Sequence, residues 1–524
     1  MASGSLKTDD KEEMKEDYAL RRVPQHWRLP WYSIMNVALG VATAMVFMQM
    51  GSLMAIAYGS INAILAEIYA TVVGGILAMA IAYSAAKSGL NVNLMSRGAG
   101  LGFTGSSITS FIYALNFIMY AAIEGSIMAY AINAYIPTIP VWLLMITVGL
   151  VIIPLNWYGM TQLDKFQKYS IPIYVILLIV GIIAAARMDL PHSSDWLTFL
   201  PAGGAVGGVG LLAAIGVMNG LVGIMALLVS DYARFIKPEE RKMGVFAVGF
   251  IPQFVAFFLS GLIGVWFGVR FGEENPGKYF VYAMGFWGAI YTILTQLRIN
   301  VTNLYSGSMS LANFFARIFH FTPGRVFWVV VTSITAIVAM LAGALEHLGP
   351  MLTFQGVFLF AWVALLTADL VVVKGLLKLG PIRLEHRRGH LHEWNPVGVV
   401  SLVVSSVIGC LMAFNMFGAF WASISAFAAA VIAFVLHIIM AVATQGKYYE
   451  ARSVEETFSS NVIETNQFGE KLVKCDKCGH PFIAEDMLNC TYYNQHYCSQ
   501  CCAEASCSTA CQSGANLKTA SFKA

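Results

Sequence analysis

Apolar residues fall into long, nearly uninterrupted blocks along most of this chain, and the charged residues lie between the blocks. Many blocks are about 20 residues long, which is the length of helix that crosses the hydrocarbon core of a membrane. The pattern predicts about twelve membrane-spanning helices. The predicted spans lie near residues 33–57, 62–86, 105–135, 139–157, 168–187, 206–230, 243–269, 281–315, 327–345, 352–373, 396–415 and 418–442. The span at 281–315 is long enough to contain a break.

Positive charges are distributed unequally between the two sides of these spans. Lys and Arg precede the first span and follow the even-numbered spans, whereas the loops 136–140 and 188–205 contain none. In membrane proteins the excess of Lys and Arg lies in the cytoplasmic loops. We therefore predict a multi-pass protein of the bacterial inner membrane, with both termini in the cytoplasm.

The composition excludes a soluble protein of this length. Of the 524 residues, 58% are hydrophobic and 12% are charged, against roughly 25% charged residues in soluble domains. The mean hydropathy is +0.67, and the formal net charge of +3 gives no indication of nucleic-acid binding. The first residues lack the apolar segment and cleavage site of a signal peptide. No nucleophile and base pair stands out, so no enzymatic activity is expected.

The cysteines divide the chain into parts of different chemistry. Eight of the nine lie between Cys475 and Cys511, and only Cys410 lies in the hydrophobic part. A cluster of this kind indicates a separate module. The predicted parts are a cytoplasmic N-terminal arm (1–32), a transmembrane domain (33–443), a polar linker (444–470), a cysteine-rich module (471–515) and a tail (516–524).

Two spans contain residues that favour a broken helix. The first has Asn36 and Gly40 ahead of Thr43, and the sixth has Asn219 and Gly220. The two spans are five apart, as two inverted repeats of five helices require, and broken helices line the central site of many transporters. Small residues also allow close packing of unbroken helices, so both interpretations stay open here.

Three motifs carry a resemblance to a known family. They are Ser96-Arg-Gly-Ala-Gly-Leu-Gly-Phe-Thr-Gly105, Asp231-Tyr-Ala-Arg-Phe235 and Asn300-Val-Thr-Asn-Leu-Tyr-Ser306. In their order and span positions they resemble the nucleobase–cation symporter family of purine/cytosine, uracil and hydantoin carriers, over roughly residues 25–445. The resemblance implies an all-α membrane fold of the sodium-symporter type, with a 5+5 inverted repeat and two peripheral helices. It also implies a secondary transporter that works by alternating access.

The resemblance implies a substrate site that begins on the third helix. Carriers of this family place an aromatic and a polar residue one turn apart there, and Tyr120 and Glu124 have that spacing. Residues four apart share one face of a helix. An aromatic ring can stack on a planar substrate, and a carboxylate can accept hydrogen bonds from its N–H groups. Glu124 is the only acid in its span, which makes it a functional candidate, although a structural hydrogen bond would also account for it.

The resemblance places further substrate contacts on the sixth and eighth helices. Asn219 and Gly220 correspond to the sixth-helix contacts, and Asn300 and Asn303 to the eighth, with Asn303 the preferred ligand contact. The sixth helix has no aromatic residue around Asn219, unlike the family pattern. A nucleobase held between two rings is therefore not the only option, and a guanidino-type organic cation remains an alternative.

The position that binds sodium in related carriers differs in this chain. Arg298 and Ile299 stand where sodium-coupled relatives have small hydroxyl residues. A guanidinium group would repel Na⁺ and could replace its charge. We therefore expect sodium-independent transport, coupled to protons through Glu124 or run as exchange. The alternative is that Arg298 points away from the site and extends towards a membrane interface.

The cysteine-rich module contains paired cysteines with the spacing of a metal site. Cys475 and Cys478 form one C-x2-C pair, and Cys498 and Cys501 form the second. This spacing is typical of a structural zinc site with four thiolate ligands. Four further cysteines make a second zinc ion possible: Cys490, Cys502, Cys507 and Cys511. Disulfides are disfavoured in the cytoplasm, and an iron–sulfur cluster is the other alternative.

The same cysteine-rich string resembles the segment that joins transporter-like domains to histidine kinases in some bacterial sensors. No kinase follows it in this sequence. This resemblance implies a different class of function, namely a nutrient sensor that signals through its tail to a separate kinase. A metal-sensing tail that regulates transport is a third possibility. In each case the expected partners are a small-molecule substrate and the lipid bilayer.

Overall fold

The computed structural model describes residues 18–157, 160–381, 383–388, 390–451, 462–490 and 495–504. The membrane domain in these ranges is helical. Its first half contains α1 (Trp31–Ala42), α2 (Met45–Tyr58), α3 (Ser60–Ser88), α4 (Val92–Ser96), α5 (Ser107–Tyr135), α6 (Val141–Leu155), α7 (Met160–Ala186) and α8 (Gly208–Ala233). Its second half contains α9 (Arg241–Gly249), α10 (Gly261–Phe271), α11 (Pro276–Met284), α12 (Phe286–Ile318), α13 (Arg325–Leu341), α14 (Leu348–Thr367), α15 (Pro396–Ala413), α16 (Ala419–Ser423) and α17 (Ser425–Ala443).

Each of the twelve predicted spans contains helix. Among the described residues, eight helical segments are long and apolar enough to cross a membrane, and the bent pair of α1 and α2 makes a ninth. The remaining predicted spans correspond to the shorter apolar helices α6 and α13 and to α12, which is 33 residues long. The chain is therefore a multi-pass membrane protein, as its hydropathy pattern predicts.

Several helix ends coincide with the residues that favour them. The side chain of Asn275 accepts a hydrogen bond from the N–H of Gly277 at the start of α11, and Asn395 does the same for Val397 in α15. Both helices have proline as their first residue, where the missing N–H costs nothing. The helix α3 ends at Gly89, whose φ of 73° is the left-handed conformation that glycine adopts easily.

The first predicted helix break is present and the second is not. The helices α1 and α2 meet at Thr43 and Ala44 with a bend of 41°. Of the two interpretations left open at Asn219 and Gly220, close packing holds and a break does not, because α8 continues from Gly208 to Ala233. A Cβ on Gly220 would lie 2.6 Å from the carbonyl oxygen of Leu352. Its small size therefore serves close packing of α8 on α14.

Two further interruptions follow the sixth span. The seventh span is formed by α9 and α10, with a π-helical segment (Phe254–Ser260) between them. The block at 281–315 is divided at Gly285, whose φ is 57°. This glycine ends α11 and precedes α12. The prediction that this block is broken is thus correct at its start, and α12 itself is continuous.

The break between α1 and α2 lies among the central helices. The helix α12 packs along α5, α8 packs against both α3 and α14, and α2 packs against α10. The contact between α2 and α10 is very close, since a Cβ on Gly264 would lie 1.9 Å from the carbonyl oxygen of Met48. Glycine therefore brings the two backbones together just beyond the helix break.

The cysteine-rich module consists of two small antiparallel sheets and one short helix. One sheet has the strand order β1 (Val462–Thr465), β2 (Lys471–Lys474), β3 (Pro481–Ile483), and the other pairs β4 (Met487–Cys490) with β5 (Gln495–Cys498). The helix α18 (Ser499–Glu504) follows β5. The strand β1 lies inside the segment predicted as linker, so the folded module begins earlier than residue 471.

Candidate functional site

A small cavity lined by buried residues lies beside the break between α1 and α2. Four elements surround it: the bent pair α1 and α2, α5, α8 and α12. Its lining residues are Val41, Ala44, Val46, Phe47, Phe117, Tyr120, Glu124, Leu221, Ile224, Met225, Leu228, Ile299 and Asn303. The cavity is mainly apolar and contains few polar groups, as small-molecule sites usually do.

Tyr120 and Glu124 both line this cavity, one helical turn apart on α5. Both side chains are buried, with 5% and 1% of their surface exposed. The hydroxyl of Tyr120 has no hydrogen-bond partner among the described residues. The predicted pair is thus on one face and at one cavity.

The carboxylate of Glu124 is held from two directions. The side-chain nitrogen of Gln296 on α12 donates to Oε2 at 2.5 Å, and the backbone N–H of Val46 has a favourable electrostatic interaction with the carboxylate. Val46 lies in the first turn of α2, where N–H groups lack partners within the helix and the helix dipole favours negative charge. Oε1 of Glu124 has no partner in the part of the chain that the structure describes. One oxygen of the carboxylate is therefore available to a ligand.

Two aromatic residues of the cavity were not predicted from the sequence. Phe117 lies three residues before Tyr120 on α5, and Phe47 lies in the first turn of α2. The spacing of Phe117 places it on the face of Tyr120, so it could have been found. Phe47 could not, because its orientation depends on the bend between α1 and α2.

Asn303 is the member of the predicted α12 pair that reaches the cavity. Its side-chain nitrogen donates to the side-chain oxygen of Asn300 at 3.3 Å. Asn300 is fully buried and does not line the cavity. Asn300 therefore lies behind Asn303 and contacts it directly.

Asn219 and Gly220 do not line the cavity. The side-chain oxygen of Asn219 accepts a hydrogen bond from the Tyr69 hydroxyl at 2.8 Å, and Gly220 packs against α14. The part of α8 that faces the cavity begins at Leu221. Because α8 is unbroken, its backbone near Asn219 is used in the helix and offers no contact to a ligand.

Arg298 is buried behind the cavity. Its Nε donates to the side-chain oxygen of Gln167 at 2.7 Å, and its guanidinium lies 5.0 Å from the ring centre of Tyr174. Its two terminal nitrogens have no hydrogen-bond partner among the described side chains and backbone. Ile299, the next residue, lines the cavity. Arg298 is fully buried, so the alternative in which it extends to a membrane interface does not hold.

A second membrane acid, Glu67 on α3, was not singled out from the sequence. It is 2% exposed, and neither carboxylate oxygen has a hydrogen-bond partner in the described ranges. It is the only acid between Ser60 and Ser88. The rule that an acid at membrane depth is a functional candidate would have identified it.

Four cysteines of the module form a candidate metal centre. The sulfur atoms of Cys475, Cys478, Cys498 and Cys501 all lie within 4.8 Å of one another. Hydrogen bonds from the neighbouring thiols, chiefly Cys498, hold the pKa of Cys475 below its ordinary value. Four sulfur ligands at this separation can hold one tetrahedral metal ion.

The other predicted metal ligands lie apart from this group. Cys490 and Cys502 are buried in the core of the module and are not members of the four-cysteine group. Cys507 and Cys511 lie outside the described residues. A second ion therefore remains a prediction from the sequence.

The cysteine-rich module contacts the described part of the N-terminal arm. The backbone N–H of Arg22 donates to both carboxylate oxygens of Asp486, at 3.2 and 3.1 Å, and its guanidinium lies 3.4 Å from Glu485. The N–H of Gln25 donates to Glu470 at 3.2 Å. The arm and the module therefore lie on the same face of the molecule.

The loop between α14 and α15 also contacts the cysteine-rich module. Nε2 of His386 lies 2.9 Å from Asp486, and Arg387 donates to the carbonyl oxygen of Met487 at 2.9 Å. Arg387 also pairs with Glu385 at 2.7 Å. Burial opposes ionisation of Glu385, but the hydrogen bonds and charge of Arg387 outweigh it, so the pKa of Glu385 lies well below its ordinary value.

The arm in turn joins helix ends around the cavity. The carbonyl oxygen of Tyr18 accepts a hydrogen bond from Arg234, just after α8, at 2.9 Å. That of Ala19 accepts from the side chains of Asn91 and Asn313, each at 3.0 Å. Asn313 belongs to α12. The arm thus lies between the module and the ends of helices that form the cavity.

The comparison with solved structures identifies relatives of the fold. Mhp1, a nucleobase-cation-symport-1 family transporter in a closed conformation with bromovinylhydantoin bound, matches with a TM-score of 0.65 and 15% identity, over 82% of this chain and 98% of that chain. Mhp1 in its inward-facing conformation matches with a TM-score of 0.64 and 16% identity, over 82% and 93%. A substrate-bound, outward-open Na⁺-coupled sialic acid symporter matches with a TM-score of 0.55 and 13% identity, over 84% and 96%.

The fold and the buried cavity define a multi-pass membrane protein with the architecture of secondary transporters. In particular, the chain has the fold of Mhp1, which confirms at the level of fold the resemblance predicted from its motifs. No protein-family model matches the chain, and the comparison with curated proteins found no match.

Proposed function

We propose that this protein is a secondary transporter of a small planar nitrogenous compound, such as a purine or pyrimidine base, and works by alternating access. The observation that carries the proposal is the cavity at the helix break. It combines the rings of Tyr120, Phe117 and Phe47 with the carboxylate of Glu124 and the amide of Asn303.

The chemistry of the cavity suits a flat ring with N–H groups. An aromatic ring can stack on the face of such a ligand. The unpartnered Oε1 of Glu124 can accept a hydrogen bond from a ring N–H or an amino group, and the amide of Asn303 can both donate and accept. Charge-assisted hydrogen bonds to a carboxylate are roughly twice as strong as neutral ones. Glu124 would therefore provide most of the polar recognition.

The similarity to Mhp1 supports the same substrate class. Mhp1 is described with bromovinylhydantoin bound, and a hydantoin ring carries N–H and carbonyl groups in one plane. The present cavity has aromatic residues that can stack on such a ring and a carboxylate that can accept hydrogen bonds from its N–H groups. A guanidino-type cation is the second candidate, because the carboxylate of Glu124 and the nearby rings would also attract a positive charge.

We propose further that transport does not require sodium. Arg298 is buried one residue before the cavity residue Ile299, and its terminal nitrogens have no partner among the described residues. A fixed positive charge there repels a cation and can stabilise the same helix arrangement without one. Proton coupling or substrate exchange would then drive transport.

A transporter-like sensor is the second class of function. The cysteine-rich module contacts the N-terminal arm, which contacts the ends of α8 and α12. A change at the cavity could therefore reach the module and a separate kinase.

We propose zinc as the metal of the four-cysteine group, because a closed set of four thiolates is typical of structural zinc sites. We also propose that this face lies in the cytoplasm.

A binding screen tests the substrate assignment. Purified protein is mixed with nucleobases, hydantoins or guanidino compounds, each in sodium and in potassium buffer, and its melting temperature is measured. A ligand at about 100 times its Kd stabilises the folded state by about 2.7 kcal/mol. We expect stabilisation by a planar nitrogenous base, equal in both buffers and lost in Glu124→Gln. The exposed Glu239→Gln is the matched control.

Two results of the screen would contradict parts of the proposal. Stabilisation only by guanidino compounds would replace the nucleobase assignment by an organic cation. Stabilisation that needs sodium would exclude the role proposed for Arg298.

A further inference from the structure

Glu67 lies where three helices meet in the membrane domain. A Cβ on Gly261 of α10 would lie 2.4 Å from the carboxyl carbon of Glu67, so the carboxyl group rests on the α10 backbone. A Cβ on Gly51 of α2 would lie 2.1 Å from the carbonyl oxygen of Gly261. The carboxyl group of α3 is therefore next to the contact between α2 and α10. Along α3 it is about 10 Å from the first residue of the helix.

No charged group is placed to balance an ionised Glu67. The titratable or charged side chains on the helices that pack against α3 are Tyr58 of α2, Asp231 and Tyr232 of α8, Arg241 and Lys242 of α9, and Arg270 of α10. Arg28 of the arm bonds Ala86 near the far end of α3, and the loop with His192 and Asp195, which pair with each other, contacts its first residue. The helix α14, the π-helical segment and residues 251–253 contribute none. The helix α3 itself adds Tyr69, Tyr83 and Lys87.

Asp231 and Tyr69 form hydrogen bonds with residues other than Glu67. Asp231 accepts hydrogen bonds from Ser306 and Tyr113. It lies roughly 18 Å along α8 from Asn219, the residue of α8 that contacts α3 near Glu67. The hydroxyl of Tyr69 donates to Asn219.

The positive groups are also distant from Glu67. Arg241 lies 5.8 Å from the ring centre of Tyr83. Tyr83 is roughly 24 Å from Glu67 along α3. Arg270 donates to the carbonyl oxygens of Ala185 and Met188, and Lys242 is exposed.

We infer that Glu67 is a proton-binding site, and that it carries the proton coupled to transport. An ionised carboxylate without a partner is very costly in a low-dielectric interior, so the group takes up a proton. In the arrangement seen here Glu67 holds that proton. Loss of the proton would require water or a cation at the carboxylate, and hence separation of α10 from α3.

The location connects this proton to the cavity. Glu67 rests against the contact of α2 with α10, and α2 carries the cavity-lining residues Val46 and Phe47. Two residues further along α3, Tyr69 holds Asn219 of α8, just before the cavity-lining part of α8. Movement of α10 would therefore be transmitted to the helix break. This inference rests on the proposed transport function and assigns the coupling proton to Glu67 instead of Glu124.

Uptake into proteoliposomes with an imposed pH gradient tests the inference. The substrate is the base that gives the strongest stabilisation in the binding screen. One coupled proton and a gradient of one pH unit, acidic outside, support about tenfold accumulation. We expect about tenfold accumulation with the wild type and none with Glu67→Gln, which cannot release a proton. Glu67→Gln should still bind substrate and exchange it across the membrane. Glu239→Gln is the control.

The outcomes separate this inference from the proposed function. If the wild type neither binds nor moves any planar base, the proposed function is wrong. If Glu67→Gln still accumulates substrate about tenfold, the function stands and the inference is overturned.

Retained binding shows that Glu67→Gln is folded. If it does not fold, Glu67→Asp keeps a titratable carboxyl and should retain gradient-driven uptake. If neither variant folds, wild-type protein should take up or release protons in unbuffered solution when it binds the base, and no proton change would overturn the inference.

Discussion

The side chain of Tyr120 can offer a substrate two different groups, an aromatic ring and a hydroxyl. Tyr120 lines the cavity, and its hydroxyl has no partner among the described residues. A buried hydroxyl without a partner costs free energy, so it is expected to bind either substrate or water. If the ring stacks on the substrate, most of the affinity should depend on the ring.

Substitutions at Tyr120 distinguish the ring from the hydroxyl. We predict that Tyr120→Phe binds the planar base within a few-fold of the wild type. Tyr120→Ala should lose about 1–3 kcal/mol of stacking energy, or about 5–150-fold in affinity. Titration calorimetry on the purified variants measures both. Equal losses in the two variants would show that the hydroxyl, and not the ring, recognises the substrate.

Residues of the site could be predicted from the sequence where their position along a single helix determines the face on which they lie. Tyr120, Glu124 and Asn303 each follow from a motif and a helical face, and all three line the cavity. Phe47 depends on the bend between α1 and α2, which no periodicity specifies. Glu67 was recognisable as the only acid of its span.

At the scale of the helices, small residues have two structural uses that look alike in a sequence. Gly40 lies just before the break at Thr43 and Ala44, whereas Gly220 and Gly223 lie in the continuous α8 and allow α14 to approach. Only the neighbouring helix distinguishes the two cases, because close packing of an unbroken helix requires a partner backbone. The membrane spans themselves were predictable, since their length and apolar character are set by the bilayer.

The cysteine-rich module is a second element whose role depends on its neighbours. Its paired cysteines were predictable from their spacing, and the structure groups the same four. Its contact with Arg22 of the arm and with the loop at His386 and Arg387 was not, since these residues are far apart in the sequence. A metal ion bound by these four cysteines would stabilise the module that makes this contact.

Metal removal should therefore loosen the arm. We predict that Cys475→Ser, or a chelator on the wild type, removes the metal of the four-cysteine group. Without it, residues 20–29 and 384–388 should exchange their amide hydrogens faster, which hydrogen exchange with mass spectrometry measures. The control is Cys410→Ser, because Cys410 lies in α15, away from the module. Unchanged protection of the arm after metal loss would show that docking does not depend on the metal.

At the scale of the whole molecule, the fold places the cavity between α1, α2, α5, α8 and α12, and the folded module against the N-terminal arm. The fold of Mhp1 is retained at about 15% identity, because it depends on apolar spans and close helix contacts that many sequences satisfy. The module and arm connect the ends of α8 and α12 to the four-cysteine group. The molecule can thus be a carrier whose tail responds to occupancy, or a sensor that only binds.

Flux separates these two functions and tests the central claim most directly. Purified protein is placed in liposomes loaded with an unlabelled planar base, and entry of the labelled base is measured without sodium, alongside protein-free liposomes. The proposed transporter should show saturable counterflow in the wild type, about the same with sodium added, and none with Glu124→Gln. Tight binding of the base without any flux through the wild type would contradict transport and leave a sensor.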